Sequence, residues 1–358
     1  MTEITAESAA SKTVPIEFSG QKMEYTKLWL VNMLLTIITF GIYSAWAKVR
    51  NTQYLYGHTQ VDGHRLRYLA TPIQILRGRI IAVALFGTYA LLNSLNPLAG
   101  VAAILVLLGA MPWLLIQGIK FSLRMTAYRD VRFSFHATYS NALGYFFLLP
   151  LAAVLTFGLA MPWALQKVHK YIHENISYGG KRFKLDSRVG HYYMIMFVVA
   201  GTIIFAMLAI LAVFGVLGVG AKFAAGTGLE GNSEAVDIIV LSMLLGFYFI
   251  NYLVAAIVQS MIRNHIMNNL KLESVVSFNS DIRIPAFVWL NFSNALLIIF
   301  TLGLGYPATK IRKNAFLAAA TQANIEPGIE SLMNTVSDQD SAIGEEAAGL
   351  FDADFSLT

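Results

Sequence analysis

The chain has 358 residues, of which 56% are hydrophobic and 13% charged, about half the ~25% charged fraction usual in soluble domains. Its mean hydropathy is +0.58, which argues against a soluble globular protein, a disordered chain and a coiled coil, and points to a polytopic membrane protein. With no cysteine, disulfides, thiolate zinc sites, cysteine nucleophiles and thiolate-ligated iron–sulfur clusters are excluded. The net charge is +5.

Residues 1–14 are polar and carry no apolar h-region, so they read as an unstructured tail and not as a cleavable signal peptide. Seven apolar segments follow, at 28–43, 80–95, 98–119, 142–163, 193–219, 238–258 and 286–306. A crossing helix needs about 20 apolar residues; most segments qualify, and 28–43 and 80–95 are short. None contains Asp, Glu, Lys, Arg or His.

The chain repeats itself. Thr39, Gly41 and Trp46 recur 117 residues later as Thr156, Gly158 and Trp163. The same shift carries Arg50 onto Lys167, Tyr54 onto Tyr171, Gly63 onto Gly180 and Arg65 onto Arg182. A further shift of 145 carries Thr156, Gly158, Pro162 and Lys167 onto Thr301, Gly303, Pro307 and Arg312. Phe18-Ser19, Phe133-Ser134-Phe135 and Ser277-Phe278 introduce the copies. The expected organisation is a tail at 1–14, membrane units at 15–132 and 133–277, a partial third unit at 278–321, and a tail at 322–358.

Within a unit, a strand-like lead-in precedes the Thr-x-Gly segment, then a basic stretch and two ordinary apolar spans. Residues 46–56 read as a basic, aromatic-rich helix. After it, Asp62-Gly63 sits between alternating residues, a hairpin signal, and Gly179-Gly180 takes the matching place. Alternation puts Arg65 and Arg67 on one face against Leu66 on the other, and Arg182 and Lys184 against Phe183. A small sheet lying on the membrane surface is expected in each full unit. The fold class expected is an all-α polytopic membrane protein with internal repeats and small cytoplasmic β-hairpin elements.

Charge placement bears on topology. If all seven segments cross, the two sides receive 12 and 14 of the 26 Lys and Arg residues, which is no bias. If each Thr-x-Gly segment enters and returns on one side, 25 of the 26 fall on that side and only Lys222 falls outside. The positive-inside tendency favours this second arrangement: four crossing helices, three re-entrant segments and both termini cytoplasmic. Crossing by all seven stays open, because the three Thr-x-Gly segments, at 16, 22 and 21 residues, lie close to or within the length of a span.

Thr39-x-Gly41-x-Tyr43-x-x-Trp46, the Tyr54 helix, His58-Thr59-x-x-x-Gly63-x-x-Leu66 and the Phe18-Ser19-Gly20 lead-in resemble the bacterial YjgN-like inner-membrane proteins. That family is defined by a domain of unknown function. The resemblance covers about residues 15–320 and implies an inner-membrane location, without an established activity. The first unit departs from the other copies at Ala45, where they have Pro162 and Pro307, and at Leu66, where the second has Phe183.

Candidate chemistry is sparse. His169 and His173 are one helical turn apart, as metal ligands can be, but Lys170 stands where a zincin has its Glu. The pair is a weak metal candidate, and the plainer reading is interfacial histidines. The intramembrane asparagines and threonines, Asn32 and Thr39 among them, read chiefly as glue between helices. No Walker, nucleophile-elbow or dinucleotide motif is present, so no enzyme activity, cofactor or nucleic-acid partner is expected. The best functional signal is the basic clusters after the three Thr-x-Gly segments: Lys48 and Arg50, Lys167 and Lys170, and Lys310, Arg312 and Lys313, with Trp46 and Trp163 at the interface. They suit anionic lipid headgroups or plain topology determination. The repeat-motif residues Thr39, Gly41, Tyr54, Gly63, Thr156, Gly158, Pro162, Tyr171, Gly180, Thr301, Gly303 and Pro307 read as structural.

The tail at 322–358 holds eight acidic and no basic residues and reads as disordered. The leading functional expectation is a transporter, channel or lipid-handling protein. The alternative is a non-catalytic scaffold or regulator that binds anionic lipids or partner proteins, and a membrane enzyme comes third. The sequence also admits a homo-oligomer.

Overall fold

Short strands and long helices alternate along the chain in a fixed order. The fold is that of a computed structural model, which describes residues 12–225, 233–273 and 275–326. Its ten strands are β1 (Lys12–Phe18), β2 (Thr59–Val61), β3 (His64–Tyr68), β4 (Thr126–Tyr128), β5 (Val131–Phe135), β6 (Ile176–Tyr178), β7 (Lys181–Leu185), β8 (Leu270–Leu272), β9 (Val276–Ser280) and β10 (Thr321–Ile325). They form one closed antiparallel barrel in the order β1-β10-β9-β8-β7-β6-β5-β4-β3-β2. The expectation of an all-α protein with separate small sheets is therefore corrected. The predicted hairpins are present, but their edges pair with one another. A two-stranded ribbon in water is marginal and leaves unpaired edge groups that only closure removes.

Between the strands lie ten helices in five hairpins. These are α1 (Lys22–Ile38) with α2 (Ser44–Gly57), α3 (Pro72–Leu95) with α4 (Pro97–Arg124), α5 (Tyr139–Leu155) with α6 (Met161–Glu174), α7 (Val189–Ala225) with α8 (Ser233–Asn269), and α9 (Ile284–Phe300) with α10 (Tyr306–Ala319). Each hairpin leaves from one barrel strand and returns to its neighbour, giving five βααβ segments in a ring. Among the described residues, four helical stretches are long and apolar enough to cross a membrane: Pro72–Leu95, Pro97–Arg124, Val189–Ala209 and Leu244–Asn269. They belong to the second and fourth hairpins. Of the predicted outer loop near 220–237, residues 226–232 lie outside the residues whose placement is described and the flanks are helical, and the acidic residues after Glu326 lie outside as well.

The first, third and fifth hairpins share one construction. Their outgoing helices have 17 residues and their returning helices 14, so about 26 Å out and 21 Å back at 1.5 Å per residue. The Thr-x-Gly motif makes the reversal. Thr39 Oγ1 donates to Leu35 O at 2.8 Å and accepts from Tyr43 N at 2.9 Å. Thr156 and Thr301 repeat this, accepting from Ala160 N at 3.0 Å and Gly305 N at 2.7 Å. The next residue is left-handed, with φ of 49° at Phe40, 54° at Phe157 and 50° at Leu302. The glycine follows at φ 92°, 82° and 91°, a region that L side chains enter only with strain. Its N–H closes back on Thr36, Ala153 and Ile298 carbonyls at 2.8–3.1 Å. Pro162 and Pro307 sit in the first turn of α6 and α10, where a missing N–H costs nothing. They start the returning helix and do not break one, so Ala45 in α2 is an ordinary replacement. Phe40, Phe157 and Leu302 stand 98%, 98% and 93% exposed at the three tips.

The strand turns read as the sequence suggested. Asp62-Gly63 (φ 48° and 73°) and Gly179-Gly180 (56° and 79°) take the doubly left-handed geometry of two-residue hairpins. A third turn of this kind, Arg129-Asp130 at 47° and 63°, contains no glycine. Lys12–Val14 and Gln322–Ile325, read from sequence as tails, are the seam strands β1 and β10, paired from Lys12↔Ile325 to Pro15↔Gln322.

Candidate functional site

Alternation along the strands gives the barrel two unlike faces. Leu66, Tyr128, Phe133, Ile176, Phe183, Leu272, Phe278 and Ile325 face the central cavity. Arg65, Arg67, Arg132, Arg182, Lys184 and Lys271 occupy the intervening positions, on the exposed side. Eight strands make a barrel that side chains just fill or that holds one small ligand; ten leave more room. A cavity of about 430 Å³ runs from the barrel interior up between the helices.

The walls above the barrel come from all five returning helices. α2 contributes Lys48, Asn51 and Thr52; α4 contributes Ser122; α6 contributes His173; α8 contributes Arg263; α10 contributes Lys310, Lys313 and Asn314. Lys48, Arg263, Lys310 and Lys313 bring four positive charges to this wall, and no Asp or Glu is among the described residues that line it. Burial holds the Lys313 ammonium below its ordinary range, and the positive charges of Lys310 and Arg263 push it the same way. Lys313 reaches Gln259 Oε1 at 3.5 Å, and Lys310 lies 5.6 Å from the Tyr306 ring centre. The helix wall is thus cationic and the barrel wall apolar.

The hairpin end of the barrel is closed. Tyr178 OH donates to Tyr128 O and Tyr128 OH to Val61 O, both at 2.9 Å. Burial raises both phenols, Tyr178 to about 12. Arg129, only 9% exposed, lies over the Tyr128 ring and pairs with Asp62 at 2.6 Å; Asp62 also takes Lys12 at 2.6 Å. The contact with Lys12 holds the Asp62 carboxyl below its usual range, and Arg129 adds to this. One carboxylate thereby joins β1, the β2–β3 turn and the β4–β5 turn.

Of the nine basic and aromatic residues expected at headgroups, Lys48, Lys310 and Lys313 meet at the cavity. The others do not line it. Arg50 bonds Tyr43 OH at 2.8 Å and Asn32 Oδ1 at 3.3 Å. Arg312 bonds Ser293 Oγ at 2.8 Å. Lys170 pairs with Glu174 at 3.6 Å, and Lys167 is half-buried on α6. Trp46 stacks on Tyr43 at 6.1 Å, and Trp163 is 38% exposed. Sequence reasoning missed Arg263, which follows the apolar segment at 238–258 and counts in the sequence only among the loop charges. Asn32 and Thr39 bond within their own hairpin and do not line the cavity.

The remaining motif residues have structural surroundings. Tyr54 OH accepts from Gln21 N at 3.0 Å and donates to Glu24 at 2.9 Å, tying α2 to the start of α1. Tyr171 stacks on Tyr145 at 4.3 Å. His169 Nδ1 meets Tyr192 OH at 2.9 Å, and His173 Nδ1 meets the His169 carbonyl at 2.7 Å. His191 stacks on His265 at 4.1 Å instead of joining them. Among the described residues no group of three or more His, Asp or Glu could hold a metal.

The comparisons agree with the resemblance read from the motifs. The chain is 26% identical to "Inner membrane protein YjgN" of Salmonella typhimurium, over 88% of this chain and 89% of that protein. It is 24% identical to the protein of the same name in Escherichia coli O157:H7, over 82% and 84%. No solved structure matches. The family model described as "Bacterial protein of unknown function (DUF898)" matches residues 13–350, which take in all of the barrel but its first residue, Lys12, and the chain belongs to that family.

Proposed function

We propose that this is a lipid-handling protein of the bacterial inner membrane whose central cavity binds anionic lipid species from the cytoplasmic leaflet. The observation that carries this reading is the cavity itself, where the cationic side chains of Lys48, Arg263, Lys310 and Lys313 stand above an apolar barrel, with no Asp or Glu among the described residues that line it. Basic side chains near the surface attract anionic headgroups at about 1 kcal/mol each, and a focused cluster in a cavity does so more strongly. The reading is of a binding protein without catalytic chemistry.

The topology that goes with it has four crossing helices, three re-entrant hairpins, and the barrel with both termini in the cytoplasm. Every helical hairpin starts and ends on the same barrel, which supports placing both ends of each on one membrane side. The outgoing helices of the three Thr-x-Gly hairpins, about 26 Å long, fall short of a ~30 Å hydrocarbon core. Exposed Phe40, Phe157 and Leu302 at their tips suit lipid. In this cysteine-free chain, single cysteines at Gln60 and Lys181 should label only from the cytoplasm; periplasmic labelling at either defeats the topology.

Native mass spectrometry of the protein purified with its lipids tests the function. Anionic species should be retained, and Lys48→Glu combined with Lys310→Glu should release them. Equal retention of zwitterionic and anionic lipids, unchanged by that double variant, would refute the reading.

A further inference from the structure

The outer wall of the barrel sets like charges side by side. Lys184 on β7 stands directly opposite Lys271 on β8, and like charges so placed destabilise a ladder. Arg182 lies two residues back along β7, on the same face. All three side chains are exposed, and none has a hydrogen-bond or ion-pair partner among the described residues. Two acidic neighbours along these strands do not serve them. Glu273, in the turn after β8, pairs with Lys181 at 3.6 Å. Asp186, just past β7, pairs with none of the three.

The chain's own C-terminal segment carries the complementary charge and starts beside this patch. Strand β10 ends at Ile325, and Glu326 N donates to Val275 O at 2.8 Å, so the chain leaves the barrel next to the β8–β9 turn. In the strand order β10-β9-β8-β7, β8 lies two strand spacings from that exit and β7 three, about 10 and 14 Å. Beyond Glu326 the sequence holds seven acidic residues and no basic one. Four of them, Asp338, Asp340, Glu345 and Glu346, fall within nine residues. Asp338 stands 13 residues past Ile325, a length that reaches ~43 Å at full extension and so spans the distance with slack. We propose that residues 338–346 dock on the outer wall of β7 and β8, with their carboxylates against Arg182, Lys184 and Lys271. A single exposed ion pair would not hold the segment, because each is worth little. Several pairs on one tether form a network, at an effective concentration on the order of millimolar, and docking offsets the repulsion between Lys184 and Lys271. The contact is exposed, so salt screens it.

The test is zero-length carbodiimide cross-linking of the full chain in phosphatidylcholine nanodiscs, read by mass spectrometry. At ~0.01 M salt, where the Debye length is ~30 Å, amide bonds should join Lys184 or Lys271 to Asp338, Asp340, Glu345 or Glu346. Lys22, exposed at the start of α1, is the control and should link to those acids far less often. At ~1 M salt, where the Debye length is ~3 Å, the preference should disappear. Arg182→Glu keeps both lysines and should lower their cross-linking about fivefold. Linking to Lys22 as often as to Lys184 and Lys271, or a preference that responds to neither salt nor Arg182→Glu, overturns the proposal. Mixing light and isotopically heavy chains separates links within one chain from links between copies. Links between light and heavy chains in place of links within a chain assign the patch to the tail of a second copy, and overturn docking within the chain. Adding phosphatidylglycerol to the nanodiscs should leave the links in place; their loss assigns the patch to the membrane surface and overturns the proposal. The salt response of the unsubstituted chain decides the matter even where Arg182→Glu lowers the yield of folded protein.

Discussion

Thr39→Val tests whether the hairpin turns lie in lipid. The Thr39 hydroxyl is the partner shown for the Tyr43 amide, at 2.9 Å, while donating to Leu35 O at 2.8 Å. Valine keeps the side-chain shape and removes the oxygen, so the Tyr43 N–H loses its acceptor. In water that amide rehydrates, and the loss is that of one hydrogen bond, about 0.5–1.5 kcal/mol. In hydrocarbon no water replaces it, and the unsatisfied amide costs about 1–3 kcal/mol by protein mutational data and more on alkane scales. The same arithmetic applies to Thr156 and Thr301. Changes in separate hairpins add approximately, so the triple variant should lose about 3–9 kcal/mol.

Denaturant unfolding in nanodiscs supplies the measurement, with amide exchange at Tyr43, Ala160 and Gly305 as the local readout. Thr26→Val is the control, because the Thr26 hydroxyl only bonds back to Lys22 O in an exposed turn and serves no amide. Its cost should stay below about 0.5 kcal/mol. Serine at Thr39 keeps the oxygen and should recover most of the stability. The reasoning is refuted if Thr39→Val costs no more than the Thr26 control, or if Tyr43 exchange is unchanged.

Three other perturbations probe different parts of the molecule. Asp62→Asn should cost about 1.5–3 kcal/mol through the loss of a charged acceptor for buried Arg129, with little added by Lys12, which is 68% exposed. Because the Asp62 carboxyl is held low, its contribution is complete above about pH 3.9 and lost as pH falls through the folded value; unfolding titrations of the two proteins should stay parallel from pH 5 to 8. Burial lowers His169 to about 4, so the unfolded chain binds its proton first. Stability should therefore fall as pH drops from about 6.5 toward 4, and His169→Gln should flatten that part of the profile in melting experiments. Phe40→Asp should destabilise the protein in nanodiscs by about 2.5–3.5 kcal/mol if its tip sits deep in the bilayer, and far less in detergent; equal effects in both media would place the tip in water.

What the sequence made legible was local. The β2–β3 and β6–β7 hairpins follow from alternation and from Asp62-Gly63 and Gly179-Gly180, because the geometry is encoded by neighbouring residues. The β4–β5 hairpin was hidden because its left-handed Arg129 and Asp130 are held by distant partners, Asp62 and Arg67. Strand β10 was hidden for the same reason: Gln322–Ile325 is polar and unremarkable alone, and its pairing with β1 spans more than 300 residues. At the site, Lys48, Lys310 and Lys313 were visible as a basic pattern after the Thr-x-Gly segments. Their convergence was not, since it depends on ring closure that no periodicity reports.

Ring closure also explains why an apolar cavity can persist inside this fold. Each helical hairpin has both roots in neighbouring strands, so the barrel fixes the spacing of all five at one level. Ten strands set a circumference larger than side chains alone fill, and the five returning helices inherit that spacing. Their inner faces cannot collapse on one another without breaking ladder bonds below. The opening is therefore a consequence of strand number, and the residues that line it are free to carry like charges. A compact helical bundle would bring those charges together at a desolvation cost that nothing repays. Here the barrel keeps Lys48 on α2 and Lys310 and Lys313 on α10 around an open space.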